Sequence, residues 1–82
     1  MPSWFYILRL RSGRLYCGAT KDLERRVKEH FEGNGCRTTK GDPPVKLLYE
    51  EPFETYSEAL KREARVKRWK KSKKESLIKE TG

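Results

Sequence analysis

Arg26 and His30 have types and a spacing that suit chemistry. At about 100° per residue, Leu23, Val27 and Phe31 form a helical stripe that we expect to face a sheet. Arg26 and His30 lie one turn apart at the edge of that stripe. A guanidinium binds anions and an imidazole exchanges protons near neutral pH, so the edge position suits groups held firmly yet touching solvent. A snorkelling arginine beside a half-buried histidine is the more common explanation of this pattern.

Glu63 is a second candidate, because it falls inside the apolar face of a later helix. On the wheel it lies between Ala59 and Leu60, in a face outlined by Tyr56, Ala59, Leu60, Ala64 and Val66. An acid in such a stripe is costly unless it is paired or bound to a metal ion. An ion pair with Lys67, one turn on, fits as well as a metal does.

Tyr6 and Tyr16 lie in two short segments of strand composition that a turn connects. A two-residue loop, Ser12–Gly13, places the two tyrosines on opposite faces of the hairpin. A three-residue loop with Gly13 in the left-handed region places them on one face. A shared tyrosine site therefore predicts the second loop, whereas ordinary strand packing of tyrosine requires neither.

The elements that hold these residues are predicted from periodicity and turn signals. Strands are expected near 4–8, 15–18 and 45–49, and helices from Thr20 or Asp22 to about 32, over 57–69 and over 73–80. Residues 33–44 contain three glycines and two prolines and predict a surface loop long enough to have a role. The order β-β-α-β-α-α predicts an α+β fold with a three-stranded antiparallel sheet flanked by helices, in one domain over 1–82.

Composition favours a polyanionic partner. The chain has 20 Lys and Arg against 12 Asp and Glu, a formal charge of +8, which favours nucleic acid, although many small basic proteins have no such partner. The apolar stretch Trp4–Leu8 is too short for a signal peptide or a membrane span, so we expect a cytoplasmic protein with no membrane contact. Cys17, Cys36 and a single histidine cannot supply a four-ligand zinc site, and no P-loop, dinucleotide-binding or serine-nucleophile motif is present.

The ordered set of Tyr6, Tyr16-Cys17-Gly18, Arg26, His30 and Glu63 resembles the GIY-YIG nuclease family, in its small stand-alone branch. The similarity spans about residues 4–78. Trp4 and Phe5 replace the Gly and Ile of the first triad, and Cys17 replaces the Ile of the second. Many larger members also have an asparagine after the glutamate helix, and this chain has Lys70, Lys71 and Lys73 there.

The resemblance implies metal-dependent hydrolysis of phosphodiester bonds in DNA, with Tyr6, Tyr16, Arg26, His30 and Glu63 as catalytic residues. Glu63 would hold Mg²⁺ or Mn²⁺, and Arg26 would clamp the scissile phosphate. A tyrosine or His30 would take the proton of the attacking water, with a nearby cation favouring the phenolate. Gly18 matches the glycine of the second triad and is expected to be structural.

Binding of nucleic acid is expected to rest on Lys21, Arg25, Arg37, Lys40, Lys67, Lys70 and Lys71. Residues 65–74 alone contain seven basic groups, a run that also fits a solvated helix. We expect an endonuclease directed by structure rather than sequence, acting in DNA repair or processing on branched, flapped or single-stranded DNA. The alternatives are a nucleic-acid-binding module without cleavage and a nuclease-like subunit that works with a protein partner.

Overall fold

The computed structural model of the chain describes residues 2–81, so residues 1 and 82 of the predicted domain lie outside it. It contains three strands and four helices, which are β1 (Ser3–Leu10), β2 (Leu15–Thr20), α1 (Leu23–Phe31), α2 (Arg37–Gly41), β3 (Pro44–Phe53), α3 (Tyr56–Lys67) and α4 (Lys71–Thr81). No helix in this range is long and apolar enough to cross a bilayer. The α+β class and the succession of predicted elements are confirmed, with one short helix added.

The sheet is antiparallel, with strands in the order β2-β1-β3. The central strand β1 is buried on both faces because side chains alternate along it. Phe5 and Ile7 pack on one face with Cys17 and Val66. Tyr6, Leu8 and Leu10 pack on the other face, so one strand contributes to two different layers.

The hairpin between β1 and β2 has the three-residue loop. The amide of Gly13 donates to the Leu10 carbonyl at 2.9 Å, and Gly13 has a φ of 94°, a conformation that glycine adopts at little cost. Tyr6 pairs with Gly18, and Leu8 pairs with Tyr16. The two tyrosines therefore lie diagonally on the same face of the sheet, as the three-residue loop predicts.

Helices α1 and α3 bury different residues from those that the wheels predict. Phe31 is 47% exposed, whereas its neighbour His30 is 0% exposed. The buried face of α1 is rotated relative to the predicted stripe, because the His30 imidazole finds hydrogen-bond partners beneath the helix, whereas the Phe31 ring needs none. On α3, Ala59 and Val66 are buried, while Tyr56, Leu60 and Ala64 are exposed.

The remaining differences concern ends and connections. Asp22 caps α1 by accepting a hydrogen bond from the amide of Arg25, and Thr55 caps α3 by accepting one from the amide of Glu58. The predicted loop 33–44 contains α2, and Thr39 in that helix is completely buried. β3 continues through Pro52, which an edge strand tolerates because one side of its backbone needs no partner.

Candidate active site

Tyr6 and His30 form a buried hydrogen-bonded pair between β1 and α1. The Tyr6 hydroxyl lies 2.9 Å from His30 Nε2, and the two residues are 1% and 0% exposed. Burial lowers the pKa of His30, and the nearby Arg26 lowers it further. The imidazole is therefore neutral at pH 7 and offers one N–H donor and one acceptor nitrogen.

Thr39 binds the other nitrogen of His30. Its hydroxyl oxygen lies 2.9 Å from His30 Nδ1 and 3.3 Å from both the amide and the carbonyl of Cys36. When the hydroxyl donates to that carbonyl, its lone pairs accept from the amide and from Nδ1–H. The lone pair of Nε2 then accepts the Tyr6 O–H, so every polar group in this chain of contacts is satisfied.

Tyr16 covers the Tyr6–His30 pair on the solvent side. Its ring is stacked on that of Tyr6, with centroids 6.4 Å apart and planes 9° apart, and it meets the His30 ring at 5.1 Å in an edge contact. Tyr16 is only half-buried. The structure thus brings Tyr6, Tyr16 and His30 into one cluster, with the hydroxyl of Tyr16 beside the Cys36 thiol.

Two glycines provide the space for this cluster. A Cβ at Gly18 would overlap the ring and hydroxyl of Tyr6, and a Cβ at Gly35 would overlap the His30 ring. Gly18 pairs directly with Tyr6 across the hairpin. Each ring therefore packs directly against the glycine backbone, a packing that any side chain at these two positions would prevent.

Arg26 lies beside the Tyr6 hydroxyl at the edge of the cluster. Its guanidinium donates to Glu29 at 3.3 Å and remains partly exposed. Burial raises the pKa of Tyr6 to about 12, although the Arg26 charge opposes the rise. Burial also raises the pKa of Tyr16. Arg26 therefore favours the Tyr6 phenolate, as expected of a neighbouring cation, but in the free chain the loss of water outweighs this attraction.

Glu63 approaches the cluster from α3. Its negative charge raises the pKa values of Tyr6 and of Cys17, which places the carboxylate near both. Glu63 is half-buried, and within residues 2–81 its side chain has no ion pair and no hydrogen bond. The alternative of a Glu63–Lys67 ion pair is wrong, since Lys67 has no such contact in this part of the chain.

The donors present fit a lightly held divalent cation. Within residues 2–81 no group of three His, Cys, Asp or Glu side chains could enclose a metal ion. Mg²⁺ does not require such a group, because it commonly binds one or two carboxylates and takes its other ligands from water and substrate phosphates. An unpaired, half-buried carboxylate whose charge acts on the buried Tyr6 hydroxyl is compatible with that mode of binding.

The predicted nucleic-acid-binding residues are spread over the surface. Lys21 lies over the Tyr56 ring at 5.3 Å, and Arg25 makes a loose 3.8 Å contact with Glu29. Arg37 and Lys40 line a shallow pocket beside Cys36, while Lys70 and Lys71 are exposed before and at the start of α4. Lys67 alone of the predicted set lines a groove next to Tyr16.

Three residues of the cluster are absent from the sequence-based prediction. All three belong to the segment 33–44: Gly35, Cys36 and Thr39. The unusual length of that segment was the one sequence feature that indicated a functional role. Their roles depend on the loop folding back over α1. No local pattern in the sequence indicates which hydroxyl or which glycine meets His30.

Comparison with known proteins matches the chain to one family. The family model of the GIY-YIG catalytic domain matches residues 2–76. A UPF0213 protein of Staphylococcus saprophyticus is 46% identical over 77 residues, which is 94% of each chain. A UPF0213 protein of Staphylococcus aureus is 48% identical over 81 residues, covering 98% of this chain and 99% of the relative.

Two solved structures are also similar. The solution NMR structure of a UPF0213 protein from Bacillus halodurans aligns with a TM-score of 0.64 at 36% identity, covering 100% of this chain and 87% of the other. The solution NMR structure of a protein from E. faecalis aligns with a TM-score of 0.64 at 37% identity, covering 99% and 86%.

Proposed function

The chain belongs to the GIY-YIG catalytic-domain family, a family of nucleases, and on that premise we propose that it is a metal-dependent endonuclease that hydrolyses phosphodiester bonds in DNA. The proposal treats residues 1–82 as one nuclease domain. It assigns the chemistry to Tyr6, Tyr16, Arg26, His30 and Glu63, with Gly18 as the residue that seats Tyr6.

The observation that supports this most strongly is the meeting of these residues from four elements. Tyr6 lies on β1, Tyr16 on β2, Arg26 and His30 on α1, and Glu63 on α3. The Tyr6–His30 bond, the Tyr16 stack and the nearby charges of Arg26 and Glu63 combine a proton acceptor, an anion binder and a free carboxylate. Hydrolysis of a phosphodiester requires these three functions.

The proton of the attacking water passes to Tyr6 while the Tyr6 proton passes to His30 Nε2. A free phenolate is disfavoured because burial raises the Tyr6 pKa to about 12. A concerted transfer avoids that species, since the neutral imidazole accepts the proton at a distance of 2.9 Å. Thr39 holds the imidazole in the tautomer whose Nε2 is free to accept.

Arg26 binds the scissile phosphate and controls access to Tyr6. Its planar guanidinium suits two phosphate oxygens at once. Because Tyr6 is only 1% exposed in the free chain, water reaches its hydroxyl when Arg26 leaves Glu29 for the phosphate. Substrate binding thereby opens the buried pair, and the phosphate charge offsets the positive charge that His30 gains.

Glu63 is the residue that would hold Mg²⁺ or Mn²⁺. When bound there, the cation would neutralise phosphate charge and stabilise the leaving oxygen. The carboxylate has no competing cation partner within residues 2–81. Glu63 would otherwise be left as an unpaired, half-buried charge, which is costly.

The decisive experiment is cleavage of labelled linear, flapped, branched and single-stranded DNA with Mg²⁺ or Mn²⁺. We compare the parent chain with Glu63→Gln and with Glu54→Gln, which removes one exposed carboxylate just before α3. The proposal expects metal-dependent cutting that Glu63→Gln abolishes and Glu54→Gln retains, with DNA binding kept in both. A preference for flapped or branched DNA would support action in repair or processing.

Absence of cutting by the parent, with equal salt-sensitive binding in all three proteins, would overturn the proposal. The remaining function would then be that of a nucleic-acid-binding module. Cutting that appears only with an added cellular protein would indicate a nuclease-like subunit.

A further inference from the structure

A groove of about 180 Å³ runs along the open edge of β2. β2 is an edge strand, with β1 on one side and, in the part of the chain that the structure describes, no strand on the other. The groove is lined by Arg14 from the hairpin loop, Lys67 at the end of α3 and Lys74 from α4. Tyr16, Cys17 and Thr38 form much of its remaining wall.

The charged lining is entirely positive. Among residues 2–81, Arg14, Lys67 and Lys74 line the groove and no carboxylate does, although the negative charge of Glu63 acts on Cys17 in its wall. Within residues 2–81 none of the three forms an ion pair. Asp42, on whose carboxylate the Arg14 charge acts, is already bound to the amide and hydroxyl of Ser12.

Two other arginines, unlike the groove cations, form ion pairs within the chain. Arg9 contacts Glu75 at 2.8 Å, and Arg62 contacts Glu51 at 3.0 Å. These pairs are satisfied within the chain and have little attraction left for a polyanion. Within residues 2–81 the three groove cations have no ion-pair partner, and three like charges along one groove favour an anion between them.

Lys67 and Lys74 reach the same wall of the groove. Both ammonium groups lower the pKa of the Cys17 thiol, although burial, the larger effect, raises it. The two lysines come from different helices, so their convergence depends on the packing of α3 and α4 against β2. It is not a consequence of their spacing in the sequence.

Tyr16 is shared by the groove and the candidate active site. It lines the groove and is also stacked on Tyr6 at 6.4 Å. An anion in the groove therefore lies one side chain away from the group that activates water.

We propose that this groove binds the phosphate next to the scissile one on the same DNA strand, held by Arg14, Lys67 and Lys74. The inference rests on the proposed function, because it places the scissile phosphate at Arg26. The second phosphate fixes the path of the strand across Tyr16 and thereby the bond that faces Tyr6. Cations from three elements suit a tetrahedral group with several acceptor oxygens.

The test measures binding without cutting. A fluorescent single-stranded thymidine octanucleotide is titrated in EDTA by anisotropy at several NaCl concentrations. The groove variant Lys67→Gln/Lys74→Gln is compared with Lys61→Gln/Lys79→Gln, which removes the same charge from the same two helices outside the groove. A plot of log K for binding against log salt has a negative slope. We expect the magnitude of this slope to decrease by about 0.7 in the groove variant, the value for one single-strand phosphate. The decrease in the control variant should be much smaller.

Arg14→Gln adds an independent measurement from the hairpin loop. If the three cations share one phosphate, adding Arg14→Gln to the groove variant produces little further change in the slope. Equal slope losses in the groove and control variants would overturn the inference and indicate a diffuse positive field. Separate, additive losses for Arg14 and the two lysines would overturn it as well.

Failure of the inference is distinguishable from failure of the proposed function. If the parent cuts DNA and the groove and control variants bind and cut alike, the inference about the groove is overturned and the proposed nuclease function stands. If the parent never cuts DNA and the slope changes only in the groove variant, the proposed nuclease function is wrong. No scissile phosphate then exists beside the groove, so the inference in its stated form is overturned as well.

Discussion

The two faces of the sheet are built from the same central strand and are stabilised in different ways. Phe5 and Ile7 pack in an apolar layer, where the rings of Phe5 and Tyr49 meet edge to face at 6.0 Å. Tyr6, one residue away, lies in a layer whose most buried members include His30 and Thr39. The first layer depends on apolar area, and the second depends on a chain of hydrogen bonds.

This difference predicts how each face responds to change. An apolar layer tolerates substitutions that conserve volume, because its attraction is not directional. A buried polar chain does not, since loss of one member leaves its neighbour unsatisfied. We therefore expect volume-conserving changes on the apolar face to leave activity nearly unchanged, and changes on the polar face to lower stability, activity or both.

The largest expected effect comes from removing the hydroxyl of Tyr6, compared with removal of a tyrosine hydroxyl on the other face. Tyr6→Phe should lower the cleavage rate by about 10²–10⁴-fold, the range for general acid–base groups, because the proton path to His30 is lost. Tyr49→Phe removes the hydroxyl of a buried tyrosine on the other face and should leave cleavage nearly unchanged. Rates on labelled DNA and urea unfolding of both variants provide the measurement; equal rate losses would contradict the division between faces.

Gly18→Ala tests the seat of Tyr6. The added methyl group overlaps the Tyr6 ring, so we expect destabilisation of up to about 3 kcal/mol, the upper part of the range for overpacking, and a displaced Tyr6 with reduced cleavage. Gly41→Ala is the matched control because no atom lies within 4 Å of its added Cβ. Thermal unfolding of the pair should separate them, and identical melting temperatures would refute the close contact.

Thr39→Val removes the partner of His30 Nδ1 while conserving shape. We expect a loss of about 1–2 kcal/mol in the free energy of unfolding, since a buried nitrogen loses its hydrogen bond. Thr38→Val, at the exposed neighbouring position, should cost much less. Urea unfolding measures both, and a neutral Thr39→Val would mean that His30 is satisfied in another way.

The smallest expected effect is a dependence of stability on pH. Burial, followed by Arg26, lowers the pKa of His30 below its usual 6.5, so the unfolded chain binds a proton more readily than the folded chain. Stability from this group is therefore complete above pH 6.5 and falls as the pH drops below it. His30 is the one histidine of the chain, so its NMR titration is unambiguous; an unshifted or raised pKa would contradict the neutral buried imidazole.

Much of the fold could be predicted because its signals are local. The strand composition of 4–8, the glycine turn at 12–13 and the helix stop at 33–35 each reside within a few residues. The sequence left two options for the hairpin, a two-residue loop and a three-residue loop with Gly13, because its residues are compatible with both. The pairing of Tyr6 with Gly18 decided between them.

The faces of the helices were predicted less well. The wheels placed Phe31 and Leu60 inside, and both are more than one third exposed. A wheel ranks residues by hydrophobicity alone, whereas burial of His30 depends on Tyr6 and Thr39, which lie 24 and 9 residues away. Such a polar contact has no periodic signal.

The sequence by itself determined the residue types available for chemistry, the excess of positive charge and the order of the elements, because these follow from composition and local propensity. Only the tertiary structure decided that His30 is the centre of the cluster, that Glu63 has no partner within residues 2–81, and that Arg14, Lys67 and Lys74 converge beside Tyr16. The physical reason is that burial and electrostatic attraction depend on distances in space, and long-range packing sets those distances for residues far apart along the chain.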